Sequence, residues 1–453
     1  PLPSATEIVW YVNATDGEDS TNVTFSFTTE VPWWNDEWGY RRKITIDHTD
    51  VSADLINFPV LIDITYANIG SHAKTNGDDF VFVDRSGNQL HHEIELYESG
   101  SGHLVSWVNV TSLSSTSDTV LYLYYGNSSA SNQENPMGVW DSNYTAVWHL
   151  SEDPGTAGAG GIKDSTSFGN DGTDWGSMDS SDQVGGKFGY GISFDGSNDL
   201  IHIDDSHVSG HSLDFTGGPF TLETWFKSSS GQGTLINKRD GDDYDQYQFY
   251  LQPELHLRAD KDYGGGTDSL STGTWYYGAV VVNGSDWPEI FRDGVKKTWF
   301  NEGGTGPRPY SFIHRSVNVS LGARYAGYPS PGFQYTGVLD EARISNINRS
   351  GDWLLTTFTN YNDPAGFYSV GDEETILSNL PPVLSFENPS DDATGVDIGQ
   401  SLVNVTIIDP DDDSFDWSIE GSFVNDASGM DDANGSKQTS LITPLPYDTV
   451  VIW

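Results

Sequence analysis

Glu93-Ile94-Glu95-Leu96-Tyr97-Glu98 is the string in this chain best equipped to do chemistry. Successive side chains of a strand alternate between faces, so Glu93 and Glu95 share one face. Two carboxylates held side by side are what glycosidic hydrolysis uses. His91 and His92 come just before the string, but as neighbours on a strand they point to opposite faces, are not expected to share a metal ion, and read as structural. A denser acidic run, Asp240, Asp242, Asp243 and Asp245 in DGDDYDQY, offers the hard oxygen ligands that calcium takes, and a second, Asp409, Asp411, Asp412 and Asp413 in IIDPDDD, directly follows a strand pattern. The competing reading is a solvated charge run for the first and a turn built on Asp and Pro for the second. Tyr244, Tyr247, Tyr263 and Tyr328 fall at loop positions where an aromatic ring could stack on a sugar, although such rings also fill sandwich cores. No Ser-His-Asp order, phosphate loop, zinc-ligand spacing or nucleotide fingerprint rises above chance. No residue is assigned a catalytic role, and the chain is not expected to be an enzyme.

The elements that carry these residues are strands. Short alternating segments, 49 glycines, many Ser, Thr, Asn and Asp turns, and no sustained helical periodicity predict an all-β protein of three β-sandwich domains. At 453 residues the chain is long enough to give each a core. A formal net charge of −45 repels phosphates and anionic lipid, so nucleic acid is not an expected partner, and no apolar run is long enough to insert in a membrane. Such an acidic surface calls for cations, supplied by calcium or by a saline medium. Cysteine is absent, which removes disulfides and thiol chemistry together. Asn13, Asn22, Asn109, Asn127, Asn143, Asn283, Asn318, Asn348, Asn404 and Asn434 each open an N-x-[ST] sequon, an excess that predicts an N-glycosylated, extracellular surface.

Three resemblances sharpen this picture. WWNDEWGYRRKITID at 33–47, NFPVLIDI at 57–64, GDDFVFVDRSGNQLHHEIELYE at 77–98, VLYLYYGN at 120–127 and VWDSNYTAVWHLSED at 139–153 resemble the domain of unknown function family 2341. That resemblance implies a compact β domain of secreted or cell-surface proteins of archaea and bacteria, with no established catalytic residues. The string at 93–98 itself resembles the E-x-D-x-x-E strand of family 16 glycoside hydrolases, but Glu95 replaces the central Asp and the string lies outside the segment where that motif belongs. DSTSFGNDGT at 164–173, GKFGYGISFDGSNDLIHI at 186–203, FTLETWFKSS at 220–229, TGTWYYGAVVV at 272–282 and YTGVLDEARIS at 335–345 resemble the concanavalin A-like jelly roll of laminin G and pentraxin type. This implies two packed antiparallel sheets, with Phe220, Leu222, Thr224 and Phe226 on the core face and Thr221, Glu223 and Trp225 on the other. It also implies a structural calcium held by Asp340 and Asp195, with Asp199 as a third ligand. Calcium-mediated ligand capture of the pentraxin type is not expected, because Ala323-Arg324 stands where the acidic pair belongs.

The chain ends echo one another. Pro444-Leu445-Pro446 and Trp453 stand 443 residues after Pro1-Leu2-Pro3 and Trp10, the offset of a multidomain unit that recurs in tandem along one polypeptide or in subunits that donate the N-terminal hairpin to a neighbour, the shared strand favouring the first. Residues 6–14 and 22–29 read as a hairpin, which is not stable alone. Val383–Phe386, Leu402–Ile408, Phe415–Glu420, Ser436–Leu441 and Thr449–Trp453 read as strands of an immunoglobulin-like sandwich split between the two ends, after a Pro-ended linker at 375–382. The expected organisation is therefore a hairpin at 1–31, the unknown-function domain at 32–153, the lectin-like domain at 154–374 and the rest of the split domain at 375–453. The expected function is a structural or adhesive repeat unit of an extracellular fibre, sheath or giant surface protein, with neighbouring copies as partners. A glycan-binding surface lectin is the alternative, and a glycosidase, which needs two carboxylates across an open cleft, the third.

Overall fold

The computed structural model describes residues 7–15, 20–28, 32–204, 212–215, 217–239, 246–259, 262–284, 286–303, 317–324, 333–376, 382–390, 393–394, 396–397, 399–409, 414–421 and 424–442. The architecture is all-β, in sandwiches. The chain divides into two compact units, Pro1–Glu374 and Thr375–Trp453.

In the first sandwich one sheet runs Leu55–Thr65, His103–Leu113, His92–Glu98. The other runs Tyr368–Thr375, Tyr40–Ile46, Thr119–Tyr125, Val81–Asp84, Gln89–Leu90. Ile44, Phe58, Val60, Ile62, Phe82, Leu104 and Leu123 meet between them, the alternate positions of strands with one face inward. His92 lies in this sandwich, fully buried against Phe82, while His91 is exposed and meets the Asn135 amide at 3.1 Å.

The second sandwich packs two larger sheets. One contains Tyr190–Asp195, Thr336–Ser345, Phe220–Ser228 and Trp275–Val282 in that order. The other contains Leu200–Ile203, Val319–Leu321, Gly233–Lys238, Tyr247–Leu251 and Leu255–Ala259. Phe220, Leu222 and Phe226 enter the core between the sheets with Leu235, Phe249 and Val280, as their alternation predicts. The opposite face is buried as well. Trp225 packs with Trp107, Tyr277 and Trp353 in the cluster that also holds the first sandwich's core.

Two strands cross the expected boundary at 153/154. Tyr144–Trp148 pairs with Thr336–Ser345 of the lectin-like sheet, and Tyr368–Thr375 returns to pair with Tyr40–Ile46. Between them the Gly351–Asn362 helix closes the seam. Ser350 caps it by accepting from Trp353 N, and Trp353, Leu354, Thr356, Thr357, Asn360 and Tyr361 form its buried stripe.

In the second unit Val383–Asn388, Leu402–Ile408 and Gly435–Ser440 form one sheet, and Phe415–Ile419 pairs with Ala427–Asp432, a strand the sequence reading omits. Val403, Val405, Ile407, Phe415, Ile419, Val424 and Leu441 make its core. The expected N-terminal hairpin is present as Glu7–Thr15 against Ser20–Thr28, with Asn13 opposite Asn22. The expected Thr449–Trp453 strand and the repeated Pro444–Pro446 lie outside the described residues, as do Asp240, Asp242, Asp243, Tyr244, Asp245, Tyr328, Asp411, Asp412 and Asp413.

Candidate functional site

The seam between the two sandwiches of the first unit is organised around His149. Its Nδ1 lies 2.6 Å from Glu341 Oε1 and 3.8 Å from Glu95 Oε2, and its Nε2 lies 3.3 Å from Glu93 Oε2. The last contact is close enough for charge attraction but poorly aligned for a hydrogen bond. Three distant pieces of sequence supply the cluster. Glu93 and Glu95 do reach the same side of their strand, with a register shift between Ile94 and Leu96 that makes Glu95 the extra residue. His149 directly follows the Tyr144–Trp148 strand. Glu341 sits where the Thr336–Ser345 strand exchanges partners, Ile192 opposite Leu339 before it and Trp148 opposite Ala342 after it. Its φ of 55° is left-handed backbone, which costs a non-glycine residue about 1–2 kcal/mol and is held here by the bulge.

The surroundings are low-dielectric and aromatic. The Arg343 guanidinium donates to Glu341 Oε2 and to Tyr361 Oη at 2.8 Å, and lies over the rings of Trp107, Trp140 and Tyr361. Trp107 donates its indole N–H to Glu95 Oε2 at 2.7 Å, and Trp140 does the same to Glu93 Oε2 at 3.0 Å. Ser165 donates to Glu93 Oε1. Next to the cluster Glu223 accepts from the Tyr277 hydroxyl at 2.8 Å, and Arg349 forms a bidentate pair with Asp141 at 2.8 and 2.9 Å.

These partners sort the charges. Burial disfavours charge on His149, but Glu341 and Glu93 outweigh it and hold the imidazole well above its ordinary range. Burial likewise works against Glu341 and Glu93, and His149 reverses it in both, leaving each below the usual carboxylate range. Glu95 goes the other way: burial, and then the negative charge of Glu341, push it well above. Asp340 is raised by the same two causes.

The expected calcium triad does not assemble. Asp195 stands opposite Thr336, and Asp340 is four positions further along that strand, about 13 Å at strand rise. Asp199 Oδ2 accepts from Asp195 N at 2.9 Å, so these two share one turn. Asp340 is instead cradled by the turn at 186–188, accepting from Lys187 N at 2.6 Å and Phe188 N at 3.1 Å. A Cβ on Gly186 would stand 2.6 Å from Asp340 Oδ2, so the turn needs glycine there. Sheet register, which the sequence does not display, separates Asp340 from the other two.

Two expected glycosylation sites are corrected. Asn109 is buried with Nδ2 donating to the carbonyls of Gly138 and Val139, so its amide ties strand to turn. Asn127 is buried and accepts from Ser129 N. Asn283 and Asn348 are exposed, while Asn143, Asn318, Asn404 and Asn434 are half-buried. Asn434 donates to Asp409 O at 3.0 Å. Of the sugar-stacking candidates, Tyr247 is buried in the lectin-like core, and the side chain of Tyr263 is not among the described ones. Ala323 is buried beside a half-buried Arg324.

Two family models match the chain. Residues 76–147 match the Domain of unknown function (DUF2341), and residues 169–354 match the Concanavalin A-like lectin/glucanases superfamily, in the expected order. No curated protein sequence matches. Among solved structures the chain is similar to domain 4 of AbnA, an extracellular arabinanase from Geobacillus stearothermophilus in complex with arabinotriose. The TM-score is 0.34 at 18% identity, covering 47% of this chain and 97% of that one. It is also similar to the receptor binding domain of botulinum neurotoxin mosaic serotype C/D (TM-score 0.35, 11% identity, 48% of this chain and 50% of that one). A third is the binding domain of Paraclostridial Mosquitocidal Protein 1 (TM-score 0.35, 12% identity, 48% and 52%). The chain thus spans about half the length of the neurotoxin and mosquitocidal domains. No residue correspondence follows from likenesses at this level.

Proposed function

We propose that the chain is a structural unit of an extracellular surface protein, in which a concanavalin A-like sandwich serves as a building block. The observation that carries this reading is the closure of the lectin-like sheet's outer face. Thr221, Glu223 and Trp225 are buried there, and the carboxylates that converge on His149 lie in a dry seam. An enclosed cluster of this kind offers a polysaccharide no cleft, which weighs against the glycosidase reading. The near-repeat of residues 1–10 at 444–453 and the charge of −45 favour end-to-end arrays with neighbouring copies, spaced by repulsion and screened by salt. Among the described residues no helix is long and apolar enough to cross a membrane.

Light scattering and electron microscopy of the full chain at rising protein and salt concentration test this. Linear oligomers are the expected result. The alternative is a surface glycan-binding module, favoured by the match to the lectin/glucanases superfamily. A chain that stays monomeric while binding oligosaccharides on a glycan array would replace the structural reading with that one.

A further inference from the structure

The geometry points to a buried site for one divalent transition-metal ion, zinc by its ligand chemistry, formed by Glu95, His149 and Glu341 at the seam of the two sandwiches. One ligand atom from each residue lies within 4.8 Å of the others. Ligand atoms about 2.1 Å from a tetrahedral zinc stand roughly 3.4 Å apart. The present spacings of 2.6 Å from His149 Nδ1 to Glu341 Oε1 and 3.8 Å to Glu95 Oε2 bracket that value. Both histidine spacings differ from that value by less than about 1 Å.

A second observation is independent of this clustering. Among the described residues Glu95 Oε1 has no hydrogen-bond partner, although the Glu95 side chain is only 1% exposed. A buried carboxylate oxygen with nothing to accept from carries a desolvation cost that a bound cation removes. Its other oxygen, the one 3.8 Å from His149 Nδ1, accepts from the Trp107 indole at 2.7 Å, so Oε1 is the oxygen offered to an ion.

The outer contacts are those a metal-bound histidine needs. In this structure Nδ1 makes a hydrogen bond with Glu341 Oε1 at 2.6 Å while Glu93 stands 3.3 Å from Nε2; a bound ion would take the place of the Nδ1 proton and leave the Nε2 proton facing Glu93. Glu93 is itself fixed by Ser165 and Trp140. Arg343 holds the far oxygen of Glu341, so the near one, which here meets His149 Nδ1, is the oxygen that would coordinate. One imidazole and two carboxylates suit zinc better than calcium, which takes about six to eight oxygens. Because the ligands come from both sandwiches and are buried, loading accompanies folding, and the ion joins the two halves.

The test unfolds the full chain with a chelator, refolds it with or without zinc chloride, dialyses it, and measures metal content and melting temperature. The parent is expected to retain one zinc per chain and to melt higher with it. Glu95→Gln keeps the side-chain shape and should retain no zinc, while its metal-free form melts as the metal-free parent does. The exposed group Asp47, His48 and Asp118 is a rival site, so Asp118→Asn serves as the control and should retain the ion. Absence of retained zinc in the parent, or its loss in Asp118→Asn but not in Glu95→Gln, overturns the proposal. Cobalt loading of the unmutated chain covers the case in which Glu95→Gln does not fold. Strong four-coordinate visible bands are expected, and a weak six-coordinate spectrum or none overturns the site.

Discussion

Asn360 makes a two-bond clamp on Leu61: its Oδ1 accepts from Leu61 N at 2.8 Å and its Nδ2 donates to Leu61 O at 3.1 Å. Leu61 lies on Leu55–Thr65, an edge strand whose outward backbone groups would otherwise invite another strand. The clamp has neighbours at every second residue. The Tyr361 hydroxyl donates to Pro59 O at 2.9 Å, and the Tyr368 hydroxyl accepts from Asp63 N at 2.7 Å and donates to Asp63 O at 3.1 Å. Side chains that follow the lectin-like sandwich thus stand in for a missing strand of the first one.

Asn360→Ala should therefore cost about 2–4 kcal/mol, because it strands a buried N–H and a buried carbonyl together. Urea unfolding of the parent and variant measures this. Equal midpoints would show that the edge strand does not depend on the helix.

Arg343→Met is expected to lose about 3–5 kcal/mol, since Glu341 would keep a buried charge with one fewer cation to offset it. Adding Glu341→Gln should return part of that loss. Denaturation midpoints of the single and double variants decide the matter, and a double variant less stable than Arg343→Met alone would contradict it.

His92 predicts a pH response. Burial pushes its imidazole down to about 4, and both ring nitrogens lack partners among the described residues, so the folded protein holds it neutral. The unfolded chain takes up a proton near pH 6.5 and the folded one does not, so this term falls as pH drops from about 6.5 toward 4. The loss is about 2 kcal/mol at pH 5 and about 3 kcal/mol near pH 4. His92→Leu should remove it. Parallel slopes of stability against pH in parent and variant would reject the assignment.

Residues 32–374 should unfold in one calorimetric transition, whereas a fragment of 154–374 lacks Tyr144–Trp148 and exposes Trp225 and Trp353. That fragment is expected to bind a hydrophobic dye and to melt without a sharp transition. A well-packed fragment with a cooperative melt would show that the lectin-like sandwich stands alone.

Much of this fold is legible in sequence because alternation survives in single strands: Leu402–Ile408 falls where its pattern puts it, and Phe220, Leu222 and Phe226 point inward as expected. The Gly351–Asn362 helix is not legible, since its buried stripe includes Thr356, Thr357 and Asn360, which mute an apolar period. Glu93 and Glu95 announce themselves as a pair. Their partners His149 and Glu341 do not, because only the shared sheet and a bulge at Glu341 bring those segments together. Asp340 is recognisable as a buried acid of the last strand, yet which groups it meets is decided by register.

The strand pair Tyr40–Ile46 and Tyr368–Thr375 also sets how the block carries load. Arg41 Nη2 meets Glu374 at 2.6 Å, Arg42 donates to Gly371 O at 2.7 Å, and Asp47 N donates to Phe367 O at 3.1 Å, a descending order that makes the pair antiparallel. The polypeptide therefore enters and leaves through adjacent strands at one end, with 333 positions between Arg41 and Glu374. Tension applied at those two points runs across this strand pair and bypasses the rest of both sandwiches while it holds. Once it peels open, bond by bond, the bypassed chain can pay out roughly 1,100 Å of extended length. The closure makes the block a folded reserve of slack, shielded from force until its zipper fails.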